Sequence, residues 1–143
     1  MYHVDPDHKE REFLTLDELT AMTEIKLEDP NMAFARDLFI FGSWTGIAFI
    51  DIKNLTEDNI SMVNGAPWIV FKRQKTGVPF QIKLLDIPMQ IVERYKSFRK
   101  DNHLFNIGNL DSINKRIKKV AAMCGIKKRV SFHVSRHSWA VLA

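Results

Sequence analysis

In residues 59–84, "NISMVNGAPWIVFKRQKTGVPFQIKL", the spacing of the apolar residues differs from that in the rest of the chain. Three short segments in this stretch, NISMV, PWIVFKR and VPFQIKL, are rich in β-branched and aromatic residues. The segments are separated by NGA and KTG, and both of these are turn signals. The pattern predicts a small antiparallel sheet of three strands, with Lys75, Thr76 and Gly77 in its second turn.

The segments on either side of the predicted sheet have the period of helices. Thr15 and Glu18 form a capping box, so a first helix should begin near Leu16. Further helices are predicted over 31–44, in the first part of 50–60, over 86–100 with Pro88 in the first turn, over 109–126 with Gly125 at the end, and from about His133 onward. The expected fold class is therefore α+β and mainly helical, with one small three-stranded antiparallel sheet.

Composition limits the classes of protein to which the chain can belong. A length of 143 residues suits one domain, and 45% hydrophobic with 27% charged residues is typical of a globular rather than a disordered chain. No run of about 18 apolar residues is present, so no membrane-spanning segment is predicted. The single cysteine, Cys124, excludes an internal disulfide, suits a reducing cytoplasm and is expected to be a small core residue. No ligand pattern for a metal or another cofactor is visible.

The net charge of +4 is unevenly distributed along the chain. Residues 1–30 contain nine acidic and three basic residues, whereas residues 31–100 contain ten basic and six acidic residues. Residues 101–143 contain eight basic and two acidic residues. A polyanionic partner would therefore meet the middle and C-terminal parts of the chain, although charge alone favours solvated helix faces as the explanation.

Three basic side chains are candidates for a phosphate-binding site. Lys75 lies in a predicted hairpin turn, from which its side chain can project. His133 and Arg136 are three residues apart, so they share one face of the last predicted helix. Arginine offers a planar fork of donors to phosphate oxygens, and histidine exchanges a proton near neutral pH. Each signal is weak alone, because hairpin lysines are usually solubilising and the His-x-x-Arg spacing arises by chance.

The order of three motifs along the chain is more specific. The stretch "TGIAFIDIKNLTEDNI" (45–60) is followed by "KRQKTG" (72–77) and then by "FHVSRHSWA" (132–140). This arrangement resembles the catalytic domain of the tyrosine recombinases, the phage-integrase family, and is most similar to integrases of mobile elements in Bacteroides-type bacteria. The resemblance extends from about Phe13 to the last residue. A helical protein with chance motifs remains the plainer alternative.

The resemblance implies a function and a set of roles. In the family, Lys75 would act as general acid on the leaving 5′ oxygen of DNA, His133 would contact the scissile phosphate, and Arg136 would bind a non-bridging phosphate oxygen. Asp51 matches a family acid that supports the basic cluster, although a cap or turn role is as good an explanation. DNA is cut and rejoined through a 3′-phosphotyrosyl intermediate, without a metal or another cofactor. The implied partner is double-stranded DNA in the bacterial cytoplasm.

The chain departs from the family pattern in two places that matter for activity. Ala48 stands where the family has its first catalytic arginine, and no sequence neighbour replaces it, because Lys53 would face another way. The family continues to an "LGH"-type motif and a nucleophilic tyrosine, whereas the tyrosines here are Tyr2 and Tyr95.

These two departures lead to predictions about the domain boundaries, DNA binding and activity of this chain. We expect residues 1–12 to be linker-like and residues 13–143 to be a catalytic domain truncated before its nucleophile. Such a chain should bind DNA as a monomer without cutting it, although full-length relatives assemble as tetramers on DNA. The alternative is a non-catalytic DNA-binding or regulatory module on the same fold.

Overall fold

The computed structural model describes residues 13–142. The expected linker-like segment and Tyr2 lie outside the described residues. Six α-helices and three strands follow one another along this part of the chain: α1 (Leu16–Glu24), α2 (Pro30–Thr45), α3 (Phe49–Asn54), β1 (Ile60–Val63), β2 (Ala66–Lys72), β3 (Pro79–Lys83), α4 (Asp86–Arg94), α5 (Leu110–Met123) and α6 (Phe132–Leu142). The α+β, mainly helical class predicted from the sequence is confirmed.

Helix α2 is the centre of the hydrophobic core. Leu38, Phe39, Ile40 and Phe41 are consecutive and each is at most 1% exposed, so the helix is buried around its whole circumference. It packs against α1, α4, α5 and α6. A helix that is buried on every side is stable only when other elements surround it, which is the arrangement found here.

The sheet has the predicted composition and order. Strands β1, β2 and β3 are neighbours in that order, and both pairs are antiparallel. Asn64 and Gly65 connect β1 to β2 with φ values of 51° and 79°, which is the positive-φ pair that a two-residue hairpin requires. Ile69, at the middle of β2, is completely buried and anchors one face of the sheet on the core.

The helix predicted over 86–100 is shorter in the structure. Helix α4 ends at Arg94, and a 3₁₀ turn over Lys96–Phe98 follows. Tyr95, between them, has left the helical conformation with φ −100° and ψ 6°. Its ring lies edge-on to Phe34 at a centroid distance of 4.9 Å, and this tertiary contact fixes the chain where periodicity alone predicts another turn of helix.

A buried carboxylate joins α2 to the end of α4. Asp37 is 3% exposed; it pairs with Arg36 at 2.6 Å and with Arg94 at 2.9 Å, and it accepts a hydrogen bond from the Tyr95 hydroxyl at 2.5 Å. Arg36 also donates to the carbonyl of Met22 at 3.0 Å, which connects α1 to the cluster. Burial, and then the Asp37 carboxylate, raise the pKa of Tyr95 above its ordinary value. A buried charge with this many partners stabilises the junction, whereas loss of one partner would leave the others unpaired.

The N-terminal end of α1 is fixed by a network that also reaches the loop before α6. Thr15 and Glu18 form the predicted capping box, and the Glu18 carboxylate accepts a hydrogen bond from Lys128 Nζ at 2.6 Å. Burial raises the pKa of Glu18, but the bonds from Lys128 and Thr15 outweigh it and leave that pKa below its usual value of 4.5. Ionised Glu18 therefore contributes stability above that value, and the contribution is lost as the pH falls through the lower folded value.

We expect Glu18→Gln to lower the free energy of unfolding by about 1 kcal/mol at neutral pH, because it removes the charge that Lys128 and the helix N-terminus stabilise. Urea unfolding at about pH 7 and about pH 3 measures the difference, which should be smaller at the lower pH because protonation removes the charge there. Glu24→Gln changes an exposed carboxyl at the other end of α1 and serves as the matched control. A loss of the same size at both pH values would contradict the assignment.

Candidate functional site

Two small cavities meet where α3 begins. One has a volume of about 170 Å³, and its lining includes Ala48, Lys75 and Arg136. The other has a volume of about 140 Å³, and its lining includes Ala48, His133 and Arg136. Since Ala48 and Arg136 line both cavities, the three basic candidates surround one location. These residues come from the start of α3, the β2–β3 turn and α6, three elements that are far apart in sequence.

Arg136 is held in place by the end of helix α2. Its Nε donates a hydrogen bond to the carbonyl oxygen of Gly46 at 3.2 Å, and the side chain is half-buried. Gly46 ends α2 in the left-handed conformation with φ 73°. Within residues 13–142 no carboxylate forms an ion pair with the guanidinium. Its positive charge therefore remains available to an anion in the cavities.

The close approach of α6 to α2 depends on glycine. A Cβ atom on Gly46 would lie 2.6 Å from Trp139 Cδ2, and one on Gly42 would lie 2.6 Å from Ser135 Oγ. Because these distances are shorter than any normal contact, side chains at either position would push α6 away. Glycine at both positions brings the Arg136 turn of α6 against the end of α2.

Lys75 is exposed in the turn between β2 and β3, as predicted. The turn is closed by the Gly77 amide donating to the Arg73 carbonyl at 2.7 Å and by the Arg73 amide donating to the Val78 carbonyl at 3.0 Å. Asp51, which is 7% exposed, accepts a hydrogen bond from the Gln74 amide at 2.9 Å. The Asp51 carboxylate thus fixes the backbone of the turn at the residue before Lys75.

His133 lies on the exposed side of α6 and borders a larger cavity. Its ring packs edge-on against His137 at a centroid distance of 4.6 Å. The larger cavity has a volume of about 830 Å³, and Lys115, Lys118 and Arg129 contribute to its lining. A band of positive charge therefore extends from the small cavities along α5.

Tyr95 lies at the α2–α4 junction, away from the two small cavities. Its hydroxyl is bound to Asp37, and its raised pKa makes the phenolate, the nucleophilic form, harder to reach. Lys53 lines a separate cavity of about 470 Å³ with Lys100 and His103, so it faces away from Ala48 as expected.

Two residues of the site were missed by the sequence reasoning. Arg73 lines the same cavity as Ala48, Lys75 and Arg136. The period of two in a strand could have found it, because Arg73 follows the partly buried Phe71 by two positions and so lies on the same face. Asn114 of α5 accepts a hydrogen bond from the Phe132 amide at 2.8 Å and fixes the start of α6, a contact that no local pattern indicates.

The solved structures that match this chain include recombinases and a transposon integrase. The site-specific recombinase XerH, in a post-cleavage complex with its palindromic difH substrate, matches with a TM-score of 0.75 and 17% identity over 98% of this chain and 44% of that chain. The XerA recombinase matches with a TM-score of 0.71 and 19% identity over 99% of this chain and 53% of that chain. The chain has the catalytic-domain fold of the tyrosine recombinases.

A transposon enzyme has the same recombinase fold. The Tn1549 transposon integrase, in complex with circular intermediate DNA, matches with a TM-score of 0.64 and 16% identity over 97% of this chain and 54% of that chain. The chain spans about half the length of each of these structures. No family model and no curated protein sequence matches it. At these identities the likeness establishes the recombinase fold, and the roles of individual residues depend on the geometry of the site.

We expect Gly46→Ala to destabilise the recombinase fold more than Gly65→Ala. Both residues have positive φ, near 73° and 79°, so each substitution brings a backbone cost of about 1–2 kcal/mol. A Cβ on Gly65 meets nothing within 4 Å, whereas a Cβ on Gly46 meets Trp139. Gly46→Ala should therefore lose about 1–3 kcal/mol more in urea unfolding. Equal losses would show that the α2–α6 contact is not tight.

The bond between Asp51 and Gln74 can be tested by amide hydrogen exchange. Asp51→Ala removes the acceptor, so the Gln74 amide should exchange about tenfold or more faster, as expected for a lost bond to a charged group. Asp51→Asn retains an acceptor oxygen and should preserve most of the protection. The Leu84 amide, which donates to the Pro67 carbonyl at 2.9 Å in the same sheet, is the internal control. Unchanged Gln74 exchange in Asp51→Ala would refute a supporting role.

Proposed function

We propose that this chain is the DNA-binding catalytic core of a site-specific recombinase or integrase. In the full-length protein, DNA would be cut and rejoined through a 3′-phosphotyrosyl intermediate, with residues 13–143 as the domain and residues 1–12 as a linker. The observation that carries the proposal is the meeting of Lys75, His133 and Arg136 around Ala48. The matched folds include recombinases and an integrase solved with DNA, which supports the same class of activity.

The arrangement suits phosphoryl transfer without a metal. Negative charge builds on the phosphate oxygens as the pentavalent transition state forms, and Arg136 offers a guanidinium to one of them. In this proposal Lys75, on its exposed turn, donates a proton to the leaving 5′ oxygen, and His133 assists at the phosphate from α6. The basic band along α5 offers contacts for the neighbouring DNA backbone.

Strand cleavage by the chain as given is not expected. A lost transition-state donor costs roughly 3–4 kcal/mol in an oxyanion site, and Ala48 supplies no donor at the position of the first family arginine. The hydroxyl of Tyr95 is already bound to Asp37. We therefore propose that the chain forms no covalent adduct with DNA. We also propose that it binds duplex DNA, and that it does so as a monomer.

Ala48 also favours a second candidate function, a regulatory module that binds DNA without cutting it. Ala48→Arg within the full-length protein distinguishes the two functions. A nicked suicide substrate should then trap a covalent protein–DNA adduct if the chain is a recombinase core. Absence of the adduct, with DNA binding retained, would favour the regulatory module.

We expect duplex binding to weaken steeply with salt and Arg136→Ala to reduce that dependence. Each phosphate contact contributes about −0.9 to the slope of log affinity against log salt, so the variant should lose about one unit of slope. Fluorescence anisotropy of a labelled duplex at rising salt measures both quantities. Lys26→Ala removes an exposed charge from the acidic N-terminal part and is the control. Affinity that does not change with salt would contradict the proposal.

A further inference from the structure

Arg73 faces the space that Ala48 leaves without a guanidinium. It follows the last residue of β2, is half-buried, and lines the cavity of about 170 Å³ together with Ala48, Lys75 and Arg136. Ala48 is 25 positions away in sequence, but the hairpin folds back over the start of α3. The cavity therefore has one arginine on the hairpin and one on α6.

The side chain of Arg73 is oriented by an aromatic face. Its guanidinium carbon lies 5.0 Å from the ring centroid of Phe80, and Phe80 packs against Phe71 on the neighbouring strand with centroids 5.0 Å apart. Stacking on an aromatic ring restricts the guanidinium plane and leaves its edge donors available. The backbone of Arg73 is held by both hydrogen bonds that close the β2–β3 turn.

The charges around the cavity are unbalanced. Arg73, Lys75 and Arg136 are cationic, and Asp51 is the carboxylate among the lining residues. One Asp51 oxygen already accepts the Gln74 amide at 2.9 Å. In the described part of the chain Arg73, like Arg136, forms no ion pair with a carboxylate. Two guanidinium groups beside one small cavity favour an anion with several oxygens, such as a phosphodiester.

We propose that Arg73 supplies the second guanidinium of the site and, with Arg136, binds one backbone phosphate of DNA. The hairpin would then carry both the arginine and Lys75, whereas the family pattern places an arginine at position 48. Asp51, by fixing the turn, would position both cations together. This inference rests on the proposed function and adds to it a residue that the sequence motifs do not mark.

Anisotropy titration of a labelled duplex with the 143-residue chain tests the assignment. Arg73→Ala should weaken binding about tenfold to a hundredfold, the effect of a lost charge-assisted phosphate contact. Lys72→Ala is the matched control, because Lys72 has the same charge on the same hairpin but alternates to the other face. It should change affinity by about threefold or less. Arg73→Lys, which keeps the charge and loses the fork, should fall between them.

Two double variants separate phosphate binding from folding. Arg73→Ala combined with Arg136→Ala should lose less than the sum of the single losses, because both arginines bind one phosphate. Arg73→Ala combined with Ala48→Arg should recover affinity to within about threefold of the parent chain, since a guanidinium returns to the same cavity. A merely structural role for Arg73 would give no such recovery, and circular dichroism melts verify that each variant is folded.

The outcomes distinguish this inference from the function on which it rests. If the parent chain binds duplex DNA with a steep salt dependence and Arg136→Ala weakens it, but Arg73→Ala behaves like Lys72→Ala, the role of Arg73 is refuted and the proposed function stands. Failure of Ala48→Arg to restore binding in the Arg73→Ala background also refutes that role. If the parent chain shows no salt-dependent binding, both the role and the proposed function are overturned.

Discussion

The contact between α2 and α6 is the constraint on which the candidate site depends. Gly42 and Gly46 have no side chains, so Ser135 and Trp139 approach the α2 backbone directly. The Gly46 carbonyl then accepts the hydrogen bond that orients Arg136. The same glycine ends α2 and turns the chain toward α3. One small residue therefore determines both the position of the arginine and the path that brings position 48 beside it.

The second part of the site is a hairpin that a single carboxylate attaches to α3. Asp51 is 23 residues before Gln74 in sequence and accepts a hydrogen bond from its amide, and this bond holds the β2–β3 turn beside the cavity of about 170 Å³. An exposed turn alone would leave Lys75 free to move, and proton transfer requires a donor within hydrogen-bond distance. A buried acid among cations thus has a structural use, and the cavity still keeps an excess of positive charge.

Alanine at position 48 is compatible with the fold but has no side-chain donor for a phosphate. Ala48 is the N-cap of α3 and forms no side-chain hydrogen bond there, so the start of the helix does not depend on the side chain at this position. Phosphate chemistry needs donors at a fixed distance from developing charge, and alanine has none. Arg73 and Arg136 line one cavity although they are 63 residues apart in sequence, so a motif read along the chain describes only part of the lining of the candidate site.

The sequence by itself determined the features that depend on near neighbours. The capping box at Thr15, the Asn64–Gly65 turn and the helix over 31–44 were all predictable, because caps, turns and helical periodicity are decided within a few residues. Only the tertiary structure decided where α4 ends. It also decided that Arg73 shares a cavity with Arg136, whose Nε donates a hydrogen bond to the carbonyl of Gly46, 90 residues away in sequence. Both features depend on packing between segments that are distant in sequence. Available space and unpaired charges determine which side chains become neighbours there, and the local periodicity of the sequence does not.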